Sequence, residues 1–167
     1  APKLSIVNLG MLPGAHDVYG SWARDINDKG HIVGASNFVI AGTAVPRAFL
    51  WRNGKMADLG TLPGSSGGSS AIAINARGQV LGDSQMPPSH LPRAFIWDRG
   101  VLSDLGTLPG FANSFPIALN DVGQVMGETE EDAITGARHG FLWHNGIMTD
   151  LGEATPLAIN NSGQIVL

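Results

Sequence analysis

Three short motifs recur in the same order along this chain, and their recurrence limits what it can fold into more than any other feature. Arg47-Ala48-Phe49-Leu50-Trp51 returns as Arg93-Ala94-Phe95-Ile96-Trp97 and as His139-Gly140-Phe141-Leu142-Trp143, so the tryptophans fall at 51, 97 and 143, two steps of 46. Asp58-Leu59-Gly60 returns at Asp104-Leu105-Gly106 and Asp150-Leu151-Gly152 with the same step, and Asn8-Leu9-Gly10 is an earlier partial copy. Ile26-Asn27-x-x-Gly30 returns as Ile74-Asn75-x-x-Gly78, Leu119-Asn120-x-x-Gly123 and Ile159-Asn160-x-x-Gly163.

One unit reads as four strands. Strand A ends at the Ile-Asn pair (Ser70 to Asn75), B is Gln79 to Asp83, C is the Arg-Ala-Phe-Ile-Trp run, and D is Val101 to Leu105. Asn53-Gly54 and Asn145-Gly146, between C and D, supply the pair of positive φ angles that a two-residue type I′ hairpin needs. Asn-x-x-Gly between A and B suits a short turn closed by a left-handed Gly. Strand C is apolar on both faces, with Ala94 and Ile96 pointing one way and Phe95 and Trp97 the other. A sheet covered on one side only would alternate apolar with polar residues. A small sheet buried on both faces and repeated every 40 to 50 residues is a propeller blade. The expected fold is therefore all-β: a β-propeller, partial or a small ring, of four-stranded antiparallel blades, with three full blades plus a split fourth. The expected divisions are a lone D strand in 1–10 (Leu4 to Leu9), blades at 21–60, 69–106 and 114–152, and the A and B strands of the split blade in 154–167. That split leaves three arrangements open: a four-blade ring closed by the first D strand, a larger ring completed by a second chain as a homodimer, or a piece of a longer array.

Composition agrees with many turns and little solvated helix. Charged residues make up 14% against a usual ~25%, and there are 23 glycines where average usage would give about 12. A net charge of −4 and a pI near 5.6 argue against a nucleic-acid partner, whose binding face is normally basic. No run of 18 apolar residues exists, so no membrane span is expected. Absence of cysteine removes any disulfide framework or thiolate metal site. The sequence opens Ala1-Pro2-Lys3, as a chain would after removal of a signal peptide behind a small residue, or as an excised piece of a longer one.

The order Arg-Ala-Phe-Leu-Trp, Asn-Gly, Asp-Leu-Gly-Thr-Leu-Pro-Gly (58–64) and Ile-Asn-x-x-Gly-Gln-Val resembles the bacterial extracellular repeats called HAF, after a His-Ala-Phe motif. Here the first position varies, reading Arg-Ala-Phe twice and His-Gly-Phe once. The resemblance covers nearly the whole chain. It implies a secreted or cell-surface bacterial protein, and it carries no enzyme activity and no set of binding residues.

Candidate function lies at the variable edge. In an up-and-down blade the A–B and C–D turns share one edge, and here they are short and uniform. The other edge holds the B–C loops (Asn37 to Pro46, Gln85 to Pro92, Thr129 to Arg138) and the D–A loops (Met11 to Ser21, Thr61 to Ser69, Thr107 to Ser114). Variable loops on a rigid scaffold are where recognition usually lives. Strand A of the first unit also departs from its siblings. It reads Arg24-Asp25 where they have Ile72-Ala73, Ile117-Ala118 and Leu157-Ala158, and Trp22 stands where they have Ser70, Phe115 and Thr155. This group could stack on a sugar, or it could be a local salt bridge and a packing staple. Asp83 and Glu128 share one position in strand B, followed in the third unit by Glu130, Glu131 and Asp132. Converging carboxylates could do glycosidic acid–base work or hold a cation, but most acidic loops are simply solvated. The candidate ligand-binding residues are thus Trp22, Arg24, Asp25, Asp83, Glu128 and, in a B–C loop, His90. The five histidines lack metal-like spacing, no Gly-x-Ser-x-Gly is present, and Leu-Pro-Gly (12–14, 62–64, 108–110) is a turn device. No metal, cofactor or catalytic set is expected. The leading expectation is a non-enzymatic extracellular binding module for a glycan or a protein partner. A polysaccharide-acting hydrolase or lyase, and a purely structural array, are the alternatives.

Overall fold

The computed structural model describes residues 6–16, 20–88, 90–130 and 137–167. Those residues form strands and turns and no helix. The first sheet comprises β1 (Ser21–Ile26), β2 (Ile32–Ile40), β3 (Thr43–Arg52) and β4 (Lys55–Gly60). The second comprises β5 (Ser69–Ile74), β6 (Val80–Met86), β7 (Leu91–Asp98) and β8 (Val101–Asp104). The third comprises β9 (Phe115–Leu119), β10 (Val125–Glu130), β11 (Arg138–His144) and β12 (Ile147–Asp150). A two-stranded hairpin follows, β13 (Ala158–Ile159) and β14 (Ile165–Val166). Strands lie in sequence order in every sheet, neighbours are antiparallel, and no sheet closes on itself. The expected strand over Leu4 to Leu9 is not formed in its described part. Among the described residues, 6–9 have no ladder partner, and Ile6 and Val7 are exposed. Leu4 and Ser5 lie outside the described residues.

The turn chemistry follows the sequence. Asn53 and Gly54 have φ of 51° and 75°, Asn145 and Gly146 have 50° and 85°, and Arg99-Gly100 fills the same place in the second sheet with 48° and 94°. In Leu-Pro-Gly the residue after Gly donates to the Leu carbonyl: Ala15 to Leu12 at 3.0 Å, Ser65 to Leu62 at 3.1 Å, Phe111 to Leu108 at 3.1 Å. Each turn drives its leucine into the core.

The sheets stack face to face in order, the first strand of each packing on strands of the sheet before. Between the first two sheets lie Val33, Ala48, Leu50 and Leu59 on one side and Ala71, Ile74, Val80, Phe95 and Trp97 on the other. The next interface repeats the pattern, with Leu81, Ala94, Ile96 and Leu105 meeting Val125, Phe141 and Trp143. Strand β7 thus buries Phe95 and Trp97 toward the first sheet and Ala94 and Ile96 toward the third, as its two apolar faces require. Phe49, Phe95 and Phe141 are fully buried. Phe95 lies under Gly82, where a Cβ would collide with the ring and with the Ser70 carbonyl.

Two polar ladders tie the stack together. The Asn27 side-chain amide donates to the Asn75 carbonyl at 3.0 Å, Asn75 to Asn120 at 3.1 Å, and Asn120 to Asn160 at 2.9 Å. Each Oδ1 meanwhile accepts two backbone amides of its own turn, as Asn75 does from Arg77 and Gln79. At the opposite edge serines latch neighbouring sheets. Ser69 donates to the Gly60 carbonyl at 2.6 Å and accepts from the Ala48 amide at 3.0 Å, and Ser114 accepts from Ala94 at 2.9 Å.

Candidate functional site

The edge opposite the Asn ladder carries a cleft of about 320 Å³ between the first and second sheets. One wall is the far end of the β2–β3 hairpin. The sequence suggests a loop over Asn37 to Pro46, but the pairing continues through Asn37↔Pro46, Phe38↔Val45, Val39↔Ala44 and Ile40↔Thr43. Only Ala41-Gly42 turns, with φ of 50° and 81°. A run of aromatic and β-branched residues, Phe38-Val39-Ile40, meeting a small-residue turn makes a ladder more favourable than a loop. The hairpin therefore stands beyond the sheet and presents Ile40, Val45 and Pro46 to the cleft.

The other wall is Gln85 and His90, and Ser66, Gly67 and Gly68 lie between. Backbone bonds fix this segment. Ser66 donates to the Gln85 carbonyl at 3.3 Å, Gln85 to the Gly68 carbonyl at 3.0 Å, and the Ser65 hydroxyl to the Gln85 carbonyl at 2.8 Å. A Cβ on Gly67 would strike the Gln85 side chain, and one on Gly68 the Pro46 backbone, so both glycines permit the close approach. His90, at φ 56°, places Nδ1 3.3 Å from the Ser66 hydroxyl. The result is an apolar wall facing a hydroxyl, a carboxamide and an imidazole. A second, mostly apolar hollow of about 210 Å³ is lined by Phe38, Ile40, Arg47 and Asp58, the last two ion-paired at 3.2 Å.

The six residues singled out from sequence divide among separate places. His90 lines the cleft. Trp22, Arg24 and Asp25 lie in β1, where a register shift between Ala23 and Asp25 bulges the strand. Asp25 is occupied structurally: one oxygen accepts from its neighbour Ile26 at 2.8 Å, and the other reaches the Ile74 amide of the second sheet at 2.8 Å. Trp22 is partly buried opposite Ala35. Arg24 and Asp83 act on each other. Burial pushes the Asp83 carboxyl from its ordinary 3.8 up to about 6, against the pull of the Arg24 guanidinium. Glu128, nearly buried, pairs with Arg138 at 3.5 Å, and Glu130 meets the same arginine at 3.7 Å. Glu131 and Asp132 lie outside the described residues. Among the described residues no three His, Asp or Glu side chains are grouped to hold a metal ion, and no helix is long and apolar enough to cross a membrane.

The sequence reading named the loops that contain Ile40, Ser66 and Gln85 but singled out none of the three as a candidate. The available signal was the β-prone run Phe38-Val39-Ile40 into Ala41-Gly42, which reads as strand, and the Gly67-Gly68 pair, which marks close backbone contact. Comparison of the chain with known protein families, characterised proteins and solved structures returns no match.

Proposed function

We propose that this chain is a non-enzymatic binding module that takes a short glycan in the cleft between its first two sheets. The stacked sheets are read as blades of a β-propeller, and the protein as a secreted or surface-exposed bacterial repeat protein of HAF type. Propeller geometry is supported by the meander order of each sheet and the face-to-face packing of successive sheets. Export is supported by the motif resemblance alone.

The observation that carries the binding reading is the cleft itself. Its volume is at the lower end for small-molecule sites, about 300–1,000 Å³. A pyranose ring presents a C–H face and a hydroxyl rim. Ile40, Val45 and Pro46 suit the first, and Ser66, Gln85 and His90 suit the second. The acid–base alternative has less support, since Asp25 is occupied by backbone amides and Glu128 by Arg138. A protein partner is favoured by one feature, the exposed Val39 and Ile40 at the hairpin end.

A glycan array probed with the wild type, Gln85→Ala, His90→Ala and Trp22→Ala tests the proposal. The expected result is binding to a defined subset, weakened about five- to tenfold by each of the two cleft substitutions and retained in Trp22→Ala, each lost hydrogen bond being worth about 1–1.5 kcal/mol. Binding lost only in Trp22→Ala would move the site to β1. Binding to no glycan would refute the reading.

A further inference from the structure

Gln85 is set apart from the other glutamines by what its side chain bonds. Gln79, Gln124 and Gln164 each accept from the asparagine four residues earlier, at 2.8, 2.6 and 2.7 Å, and Gln79 also donates to Asp98 at 3.3 Å. Gln85 is half-buried in the cleft wall, with its backbone tied to Ser65, Ser66 and Gly68. Its side-chain amide makes no hydrogen bond among the described residues. A carboxamide carries two donors and an acceptor, so the cleft has unused capacity for both.

The corresponding place between the second and third sheets is filled. Asn113 precedes the Ser114 latch as Gly68 precedes the Ser69 latch, and it is 2% exposed. Its Oδ1 accepts the amide of Glu130, the counterpart of Gln85, at 2.8 Å, and the Glu130 carboxylate pairs with Arg138 at 3.7 Å. At the first interface Gly68 contributes no side chain, and the Gln85 amide faces the cleft instead of an internal partner.

The rest of the lining narrows what that amide can meet. The described lining residues include no Asp, Glu, Lys or Arg, so a uronate or a charged amino sugar would lose water without gaining a counter-charge. They include no Phe, Tyr or Trp, so a sugar ring has no broad aromatic face to stack on. We infer, on the glycan-binding reading above, that the cleft selects an N-acetylated hexosamine and reads its acetamido group. The N–H and C=O of a planar trans amide point opposite ways. The acetamido carbonyl accepts from the Gln85 amide, its N–H donates to the Ser66 hydroxyl oxygen, and its methyl rests on Val45 and Pro46. A hydroxyl in its place engages one of those polar groups and leaves the apolar wall uncovered.

Isothermal titration calorimetry with three disaccharides of one linkage tests this: N,N′-diacetylchitobiose, cellobiose, and chitobiose with free amines. The wild type is expected to bind the diacetyl sugar at least about tenfold more tightly than either of the others. Gln85→Met keeps the side-chain length and removes its polar atoms. Its site is half-exposed, so it should keep the wild-type circular dichroism, and it is expected to bind diacetylchitobiose and cellobiose within about threefold of each other. Equal affinity of the wild type for those two sugars, or a Gln85→Met protein that keeps the preference, would overturn the acetamido inference and leave the glycan reading standing. Binding of none of the three, when the array shows binding to other glycans, would do the same, whereas no binding in either assay would sink both. An N-acetyl dipeptide amide that binds more tightly than any of the sugars would assign the cleft to peptide and overturn the inference as well.

Discussion

Substituting Asn75 by Ala removes four hydrogen bonds from a residue that is 4% exposed: those to Gln79 Oε1 and the Asn120 carbonyl, and those from the Arg77 and Gln79 amides. At a net ~0.5–1.5 kcal/mol each, with the turn amides left partly desolvated, the loss is about 3–4 kcal/mol. For a chain of this size that lowers the melting temperature by roughly 6–15 °C. Asn160→Ala is the internal comparison. It removes the intraturn bonds to Gln164 and from Ser162 and Gln164, but no onward rung, and its site is exposed. Its expected cost is about 1 kcal/mol, since freed groups there are rehydrated. Urea unfolding followed by tryptophan fluorescence reads both, with the m-value checking that the same surface is exposed. Equal losses in the two variants, or less than about 1 kcal/mol for Asn75→Ala, would refute the claim that the ladder holds the sheets together.

Asp83 makes stability depend on pH in the unusual direction. Its carboxyl is held at about 6 when folded and returns to its ordinary 3.8 when unfolded, so the folded state binds more protons between those values. Stability from this group is present below pH ~4 and is lost as pH rises through about 6, by up to about 3 kcal/mol. Asp83→Asn is expected to flatten that decline in melting temperature and to stabilise the protein at pH 7.5; an unchanged profile would show that Asp83 is ionised without cost. Arg24→Ala is expected to raise the Asp83 pKa further, read by NMR titration of the carboxyl carbon. Phe95→Ala empties a fully buried site beneath Gly82 and is expected to cost about 3–5 kcal/mol by urea unfolding; a loss below about 1.5 kcal/mol would contradict the two-faced packing of β7.

The repeat was legible because each motif has a local physical duty. Asn-Gly sets positive φ, Leu-Pro-Gly makes a turn, and Phe and Trp alternate on a strand that is buried twice. These are short-range constraints, so the four-stranded sheets could be read residue by residue. The contacts between sheets were not. The Asn27–Asn75 and Ser69–Ala48 bonds link residues 48 and 21 positions apart, and neither residue differs in type from one that merely serves a turn. Asp25 shows the same limit. An Arg-Asp pair in an otherwise apolar strand suggests a charged site, whereas the bulge at Ala23/Asp25 turns the carboxylate to the next sheet's Ile74 amide. The cleft depends on how far the β2–β3 ladder runs before it turns, a balance between loop and strand that the variable lengths of these connections conceal.

The central proposal is that the edge opposite the Asn-x-x-Gly turns, besides latching the sheets through Ser69 and Ser114, recognises a ligand. Its most direct test is a two-dimensional amide NMR titration of the wild type with the best-binding oligosaccharide of the array. The account predicts shift changes confined to Ile40–Val45, Ser66–Gly68 and Gln85–His90. Changes centred on the turns at 27–30, 75–78 and 120–123, or no change at saturating oligosaccharide, would contradict it.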